Sequence, residues 1–290
     1  MQNNIHEIIA GWGGLDVEQL DVLNAGNGGR YVYKIKTKNE SFILKGQPID
    51  EGSVTNIISA HEYLGNKINM APRIYHRPNG SPFYKTNTHI FYLMEFIEGR
   101  HLQDTIEDCF LFGKALARLH TLKGYDVPCS FDTNEDIQQM KSLYTERKWK
   151  REFDEILILI PDFYQYRQCL IHTDAGFGLT NVIVRNGAVI FIDLDGTGIG
   201  SPYIDFSLLN FAVFNNNQFS FAFDLAKSYL DGYSSIYKLD KQEYDLVWHG
   251  SIFHHIYNMQ WFDYEESELR WEKLRFAVRQ KDELFQMLDW

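Results

Sequence analysis

Short apolar runs separated by polar turns dominate the first hundred residues. The runs at 31–35, 42–45 and 90–94 are rich in aromatic and β-branched residues, and a short polar turn joins the first two, as in a β-hairpin. Apolar residues at helical spacing predict a helix over 53–67, and the pair at 74–75 predicts a further short strand. This part of the chain is therefore predicted to form a small antiparallel sheet with one helix.

After Gly99 the hydrophobic pattern takes on the period of helices. Helices are predicted over 102–121 and 135–158, and helical patterns dominate again from Asp205 to the end of the chain. Between these segments, two apolar runs within 182–192 flank an Asn-Gly dipeptide, which is a strong signal for a two-residue hairpin turn. The later part of the chain is thus predicted to be mainly helical, with one embedded hairpin.

The change in pattern predicts an α+β protein with two lobes. We expect a small antiparallel-sheet lobe at residues 1–96 and a larger, mainly helical lobe at residues 97–290. The chain has 290 residues and a net charge of −11, and residues 1–100 carry ten basic and ten acidic side chains. All of the net negative charge therefore lies in residues 101–290. Such an acidic balance argues against nucleic acid and against an anionic membrane face as partners.

The cysteines and the start of the chain indicate a cellular compartment. Cys109, Cys129 and Cys169 are far apart, without the spacing of a metal or redox site, which favours free thiols in a reducing environment. The first residues lack a basic start followed by a long apolar run, and no apolar stretch has the ~18 residues of a membrane helix. We expect a cytoplasmic protein.

The segment 170–195, LIHTDAGFGLTNVIVRNGAVIFIDLD, contains the most informative polar residues. Asp174 follows an apolar run, and Asn181 and Asp193 flank the predicted hairpin. Such a hairpin brings its two flanking oxygen donors to the same end, and donors of this kind suit Mg²⁺. One carboxylate that can accept a proton, beside two metal ligands, is suited to phosphoryl transfer. The alternative is an ordinary loop, because Asp, Asn and Gly are common in turns.

Three stretches together resemble a known family. Besides 170–195, they are YLMEFIEG at 92–99 and FGKALARLH at 112–120. In this order they are similar to the protein-kinase-like small-molecule phosphotransferases, which are the aminoglycoside phosphotransferases and relatives such as choline and fructosamine kinases. The resemblance runs from about residue 20 to about residue 210. It implies a protein-kinase-like fold and a Mg²⁺-dependent kinase that uses ATP or GTP and a small-molecule hydroxyl acceptor.

The resemblance assigns roles in the larger lobe. Asp174 matches the catalytic aspartate, and His172 matches the histidine that holds the shape of the catalytic loop. Asn181 and Asp193 match the two Mg²⁺ ligands, and Asp205 matches a structural aspartate that braces the loop or caps the next helix. Asn181 follows Asp174 by seven residues, a longer spacing than in the kinase catalytic loop. This departure leaves open a kinase-fold protein that binds nucleotide but transfers phosphate weakly or not at all.

The smaller lobe is implied to bind the phosphates of the nucleotide. Lys45 ends an apolar strand at the position of the phosphate-binding lysine, and Glu62 lies on the following helix at the position of its ion-pair partner. Gly28, in a glycine-rich turn before Arg30, could bring backbone N–H groups to the phosphates. The alternatives are a solvated surface lysine and a plain hairpin turn.

The stretch 92–99 resembles the hinge that binds the adenine base. The resemblance implies that the Glu95 carbonyl and the Ile97 N–H pair with the base, with Met94 behind it. An ordinary edge strand that ends at Gly99 is the alternative.

The acceptor is expected to contact the helical region after residue 205. Trp261, Asp263 and Glu266 combine aromatic faces with carboxylates, which suits a cationic acceptor such as an aminoglycoside or an amino alcohol. The alternative is an acidic helix start favoured by the helix dipole. A kinase acting on proteins is less favoured, because no Ala-Pro-Glu segment lies between Asp193 and Asp205.

Three histidines on a predicted helix carry no zinc signature. His249, His254 and His255 lack acidic partners at ligand spacing, so we predict that they lie in the core or at its rim.

Overall fold

The computed structural model of the protein describes residues 2–23, 30–129, 133–175, 180–209 and 219–290. The chain divides into two compact units. The first contains Met1–Gly99 and Ile190–Asp195, and the second contains Arg100–Val189 and Gly196–Trp290. Within the described ranges, none of the helices has the length and apolar character needed to cross a membrane. The assignment of residues 1–96 to nucleotide binding and of 97–290 to catalysis and acceptor binding stays a prediction.

An antiparallel sheet of six strands forms the centre of the first unit. The strands are β1 (Val17–Leu23), β2 (Tyr31–Thr37), β3 (Ser41–Pro48), β4 (Ile74–Tyr75), β5 (Phe83–Lys85) and β6 (His89–Glu95). Their order is β1-β2-β3-β6-β4, with β5 paired to β6. The strands predicted from the apolar runs are all present, whereas β1 and β5 were not predicted.

Two helices cover opposite faces of this sheet. The helix α1 (Gln2–Ala10) packs on the face that presents Leu44 and Phe91. The helix α2 (Glu51–Ala60) packs on the other face, against Tyr92. Lys45 lies opposite Tyr92 in the pairing of β3 with β6, and the period-2 alternation of strands puts Lys45 on the α2 face.

The predicted helix over 53–67 proves to have two parts. The α-helix α2 ends at Ala60, and the chain continues as a π-helical segment over His61–Lys67. A π-helical turn contains an extra residue and therefore changes the direction in which the following side chains project. This change matters for Glu62, which lies in the π-helical segment.

The second unit contains the other helices and five short strands. The helices are α3 (Ile106–Thr121), α4 (Thr133–Leu143), α5 (Lys150–Ile158), α6 (Phe223–Ser234), α7 (Lys241–Met259), α8 (Tyr264–Arg279) and α9 (Lys281–Met287). The strands are β7 (Arg100–His101), β8 (Cys169–Ile171), β9 (Val182–Arg185), β10 (Ala188–Phe191), whose last two residues belong to the first unit, and β11 (Gly198–Gly200). The predicted α+β class is confirmed.

Two of the predicted helices need correction. The helix α3 begins at Ile106 and not at 102, because the Thr105 hydroxyl accepts a hydrogen bond from the Asp108 N–H and caps the helix. The single helix predicted over 135–158 was wrong, because α4 and α5 are separate. Between them the chain turns and buries Trp149, whose ring stacks on Trp271 with 4.6 Å between centroids.

The hairpin of β9 and β10 forms as predicted. Its two turn residues, Asn186 and Gly187, have φ angles of 53° and 75°. These left-handed values are the ones that a type I′ turn requires, and Asn and Gly adopt them at the lowest cost. The turn therefore explains why this hairpin was readable from sequence.

Glycines allow α3 and α6 to touch backbone to backbone. A Cβ atom added at Gly113 would lie 1.9 Å from the carbonyl oxygen of Tyr229, and one added at Gly232 would lie 2.1 Å from that of Phe110. Neither position has room for a side chain. The close crossing brings His120 of α3 within hydrogen-bonding distance of Tyr233 of α6.

Candidate active site

Lys45 is almost fully buried, with 7% of its surface exposed, and two carboxylates surround its ammonium group. Its Nζ donates hydrogen bonds to Asp193 Oδ1 and, at 2.7 Å, to Asp195 Oδ1. Asp195 also accepts from Gln47 Nε2 at 3.2 Å and forms an ion pair with Arg30 at 3.0 Å. The first unit thus contains a cluster of two cations, Lys45 and Arg30, and two anions, Asp193 and Asp195.

The electrostatics of this cluster keep the lysine charged. Burial by itself favours the neutral amine, but Tyr92, Asp193 and Asp195 outweigh burial and raise the pKa of Lys45 above its usual value. Burial raises the pKa of Asp195, while Lys45 and Arg30 act in the opposite direction. A charged lysine that carboxylates hold in place is a suitable group for binding phosphate oxygens.

A sharp backbone turn aims both carboxylates at Lys45. Asp193 has a φ of 59°, in the left-handed region that non-glycine residues rarely adopt, and a short helical turn over Leu194–Gly196 follows it. Strained backbone of this kind tends to occur at functional sites. Sequence reasoning missed Asp195, although its place two residues after the predicted metal ligand was a signal.

Glu62 does not form the predicted ion pair with Lys45. Its carboxylate lies 2.9 Å from His76 Nε2, and Lys45 pairs with Asp193 and Asp195 instead. Glu62 belongs to the π-helical segment, where the altered winding changes the direction of its side chain. Any role of Glu62 in binding nucleotide stays a prediction.

The predicted hinge residues follow directly from strand β6. Met94 is buried on the α2 face, and Ile97 is buried as well. Three hydrogen bonds join Glu95 to Arg73. The Glu95 N–H donates to the Arg73 carbonyl at 2.8 Å, and the Glu95 carboxylate accepts from Arg73 Nε at 3.1 Å and from the Arg73 N–H at 3.3 Å. Their contacts with a base stay predictions, and Gly28 lies outside the described residues.

In the second unit, the predicted catalytic residues come together after strand β8. His172 is fully buried, and its Nδ1 lies 3.1 Å from Asp174 Oδ1. The side chain of Asp174 is 40% exposed, so it is accessible to a substrate. Asn181 Nδ2 donates to the Asp174 carbonyl at 3.2 Å. Asn181 is therefore next to Asp174, despite the longer spacing between them.

Asp205 fixes the backbone of this loop through hydrogen bonds. It is fully buried and accepts hydrogen bonds from the N–H groups of His172 at 2.7 Å and of Thr173 at 2.5 Å. It also accepts from His120 Nε2 at 3.1 Å. Burial alone would raise the pKa of Asp205, but His120 and His172 lower it overall. An ionised Asp205 thus fixes the two residues that precede Asp174.

His254 on α7 also contacts this loop, which sequence reasoning missed. As predicted, His254 is buried, yet it also forms a hydrogen bond with the backbone of Thr173. Thr173 has a φ of 81°, so its backbone is strained. Burial lowers the pKa of His254. No sequence signal linked the two residues, because a lone histidine on an apolar helix face looks like core.

The three acceptor candidates have roles at the start of α8 or lie on the surface. Asp263 caps α8 by accepting from the Glu266 N–H at 2.9 Å, and Glu266 pairs with Arg270 at 3.1 Å. Trp261 is 59% exposed. These contacts are those of an acidic helix start, and contact of the three residues with an acceptor stays a prediction.

The oxygen donors of the site fit a magnesium ion. Among the residues that the structure describes, no three His, Cys, Asp or Glu side chains cluster as a metal site of their own. Mg²⁺ typically takes only one or two protein ligands and completes its shell with water and substrate phosphates. The Asn181 amide nitrogen is engaged by the Asp174 carbonyl, which orients the amide. Asn181 and Asp193 therefore supply the type of donor that Mg²⁺ prefers.

Comparisons with solved structures find the same fold in small-molecule kinases. A spectinomycin phosphotransferase in complex with ADP and spectinomycin matches with a TM-score of 0.65 at 16% identity, over 96% of this chain and 94% of that one. A choline kinase from Cryptosporidium parvum Iowa II matches with a TM-score of 0.62 at 15% identity, over 98% and 95%.

A third structure, an aminoglycoside phosphotransferase from Alicyclobacillus acidocaldarius, matches with a TM-score of 0.62 at 14% identity, over 98% of this chain and 94% of that one. Identities this low establish the fold. The sequence itself matches the model of the phosphotransferase enzyme family over residues 20–239. Because that match covers well over half of the 290 residues, the chain belongs to the phosphotransferase enzyme family.

Proposed function

We propose that this protein is a kinase that transfers the γ-phosphate of ATP or GTP to a hydroxyl group of a small molecule. Membership of the phosphotransferase enzyme family supports the reaction type. The observation that carries the proposal is the surroundings of Asp174. Its carboxylate is accessible, it lies next to His172 and Asn181, and Asp205 fixes the loop that contains it. Such a carboxylate is equipped to orient a hydroxyl group and to accept its proton.

The nucleotide phosphates would bind to the cluster around Lys45. Lys45 and Arg30 supply the positive charge, and the left-handed turn at Asp193 keeps two carboxylates beside them. Bound Mg²⁺, held by Asn181 and Asp193, would neutralise charge on the transferred phosphate. The ADP in the solved spectinomycin phosphotransferase is in line with a nucleotide co-substrate.

Asp174 would act on the acceptor. It would hold the hydroxyl group for attack on the γ-phosphorus and take its proton as the new oxygen–phosphorus bond forms. The bond between the γ-phosphorus and the bridging oxygen breaks, and the nucleoside diphosphate leaves. Positioning by the fixed loop contributes most of the rate enhancement in chemistry of this kind.

We propose a cationic acceptor, such as an aminoglycoside or an amino alcohol. All of the net negative charge lies in residues 101–290, which include Asp174. Negative potential favours the approach of cations. Solved relatives include kinases for spectinomycin, choline and ethanolamine. We also place the reaction in the cytoplasm, where ATP is available and where the thiols of Cys109, Cys129 and Cys169 would stay reduced.

The alternatives are less well supported. A nucleotide-binding protein without transfer was suggested by the longer spacing from Asp174 to Asn181, but these two residues are in contact. A kinase acting on proteins is not favoured either, because the solved relatives are kinases for small molecules.

An acceptor screen tests the proposal. The purified protein is incubated with Mg²⁺ and either ATP or GTP in the presence of aminoglycosides, spectinomycin, choline, ethanolamine and neutral polyols, and phosphorylated products are identified by phosphorus NMR. We expect one cationic hydroxyl compound to be phosphorylated, with no product from the Asp174→Ala variant. Tight nucleotide binding without transfer to any compound would count against the proposal, and preference for a neutral polyol would count against the cationic acceptor alone.

A further inference from the structure

A chain of hydrogen bonds leads away from Asp205 on the side opposite to the catalytic loop. Asp205 Oδ2 lies 3.1 Å from His120 Nε2, and His120 Nδ1 lies 2.9 Å from the Tyr233 hydroxyl. The Tyr233 hydroxyl in turn accepts from Arg167 Nη2 at 3.2 Å. All four residues belong to the second unit. These hydrogen bonds therefore link Arg167 to the carboxylate that fixes the backbone of His172.

For a neutral His120, the chemistry of the two ends allows one arrangement of protons along this series of hydrogen bonds. A guanidinium group can only donate, so the Tyr233 oxygen accepts from Arg167 and directs its own proton to His120 Nδ1. His120 Nδ1 is then an acceptor, and the single ring proton lies on Nε2. The Nε2–H group donates a hydrogen bond to Asp205, which as a carboxylate can only accept.

The environment of each group favours the same protonation states. Burial lowers the pKa of His120, and the charge of Arg167 lowers it further, against the effect of Asp205. Burial raises the pKa of Tyr233 above its usual value. The pKa of Asp205 is lowered despite burial, through His120 and His172. Near neutral pH this series of hydrogen bonds thus joins an arginine cation, a phenol, a neutral imidazole and a carboxylate.

The guanidinium of Arg167 contacts two tyrosines, the Tyr233 hydroxyl and the Tyr237 ring. Its guanidinium stacks over the Tyr237 ring at 3.9 Å from the centroid. The groups that act on the charge of this guanidinium are Tyr233, Cys169 and Tyr237, and none of them is a carboxylate. The titratable groups around His120 are Asp205, Tyr233 and Arg167, with Cys169 and His172 adjacent to them.

We propose that Arg167, acting through Tyr233, is a positioning residue that keeps His120 neutral with its proton on Nε2. His120 then leaves Asp205 its full negative charge for the backbone N–H groups of the catalytic loop. A protonated His120 would place a positive charge against the same carboxylate, and its stronger hydrogen bond would weaken those of the N–H groups. The role of the loop in catalysis rests on the proposed kinase function, whereas the protonation state of His120 does not.

The Arg167→Met variant tests the proposal directly. Ring-nitrogen NMR chemical shifts of His120 report both its tautomer and its protonation. In the wild-type protein we expect the neutral Nε2–H form to persist at pH values below the ordinary histidine pKa of about 6.5. In Arg167→Met we expect His120 to take up a proton at higher pH, because the nearby positive charge is lost.

The kinetic result should follow the same change. Once an acceptor is identified, kcat of Arg167→Met should be lower than that of the wild type, by as much as about 100-fold if the loop shifts by about 1 Å. The KM for the nucleotide should stay near the wild-type value. The loss should grow as the pH decreases. Arg167→Lys, which keeps a positive donor, should recover most of kcat and the neutral form of His120.

Two further variants make the result decisive. Tyr233→Phe keeps the ring but removes the hydroxyl, so the His120 Nδ1 shift should change to that of a nitrogen without a donor. Arg151→Met changes an exposed arginine and should match the wild type in every measurement. The proposal is overturned if Arg167→Met and Tyr233→Phe both fold and leave the His120 signals and kcat unchanged. Because the NMR result needs no acceptor, it stands or fails independently of the kinase assignment.

Discussion

The ammonium group of Lys45 donates to the Asp195 carboxylate at 2.7 Å, and both side chains are largely buried. The glutamate expected to pair with this lysine, Glu62, instead contacts His76 near the surface. Asp195 therefore takes the place of Glu62 as a counterion of Lys45, together with Asp193.

Removal of Asp195 should thus impair the nucleotide site more than removal of Glu62. Loss of a hydrogen bond to a charged group costs about 1.5–3 kcal/mol, so we expect Asp195→Ala to lower kcat/KM for the nucleotide by about tenfold or more. An exposed ion pair contributes about 0–1 kcal/mol, so Glu62→Ala should change kcat/KM little. Steady-state kinetics with varied nucleotide measures both variants, and the reverse order would refute this assignment of the counterion.

Asp174 should be needed for transfer but not for binding nucleotide. We expect Asp174→Ala to abolish detectable turnover, because it removes the exposed carboxylate that would take the hydroxyl proton. Calorimetric titration should still show nucleotide binding within a fewfold of the wild-type affinity. Turnover near the wild-type level in this variant would remove Asp174 from the mechanism.

The protein should lose stability as the pH falls below about 6.5. Burial lowers the pKa values of His120, His254 and His255, so the unfolded chain takes up protons at a pH where the folded protein does not. Each such histidine lowers the free energy of unfolding by up to about 1.4 kcal/mol per pH unit between its unfolded and folded pKa values. Urea unfolding from pH 8 to pH 5 measures the slope.

The His255→Leu variant should have a shallower slope in the same range, since it removes one of these groups. His6→Gln, which changes an exposed histidine of α1, should retain the wild-type slope. Equal slopes for wild type and His255→Leu would mean that His255 does not contribute to the pH dependence.

Alanine substitutions at two glycines should change the stability of the protein in opposite directions. Gly113→Ala places a Cβ against the Tyr229 backbone, where α3 and α6 cross, and should destabilise the protein by at least about 1–3 kcal/mol. Gly52 lies in α2, and a Cβ there meets only Asp50 Oδ1 at 3.6 Å, so Gly52→Ala should stabilise by about 0.5–1 kcal/mol. Thermal unfolding of both variants checks the pair, and a neutral Gly113→Ala would contradict the observed crossing.

Features specified locally were predictable from sequence, and features specified by distant contacts were not. The Asn186-Gly187 turn and the alternation of β3 each depend on a few neighbouring residues, and the structure has them where they were expected. The pairing of Lys45 with Asp195 joins residues 150 positions apart. The break between α4 and α5 likewise depends on the packing of Trp149 against Trp271.

The same distinction applies to the candidate site. The sequence predicted Asp174, Asn181 and Asp205 beside short apolar strands or turns, and in the structure Asn181 and Asp205 both contact the backbone of the loop that contains Asp174. The contact of His254 with Thr173 depends on how α7 packs, and helical spacing alone cannot reveal it.

The return of Ile190–Asp195 to the first unit has a consequence for dissecting the protein. A fragment that ends at Gly99 would lack both carboxylates of Lys45 and would leave a buried cation without a counterion, which is strongly destabilising. Truncation at the apparent lobe boundary should therefore yield an insoluble or unfolded product. An independently folding first unit would require a circularly permuted gene in which residues 190–195 are joined to residues 1–99 by a linker.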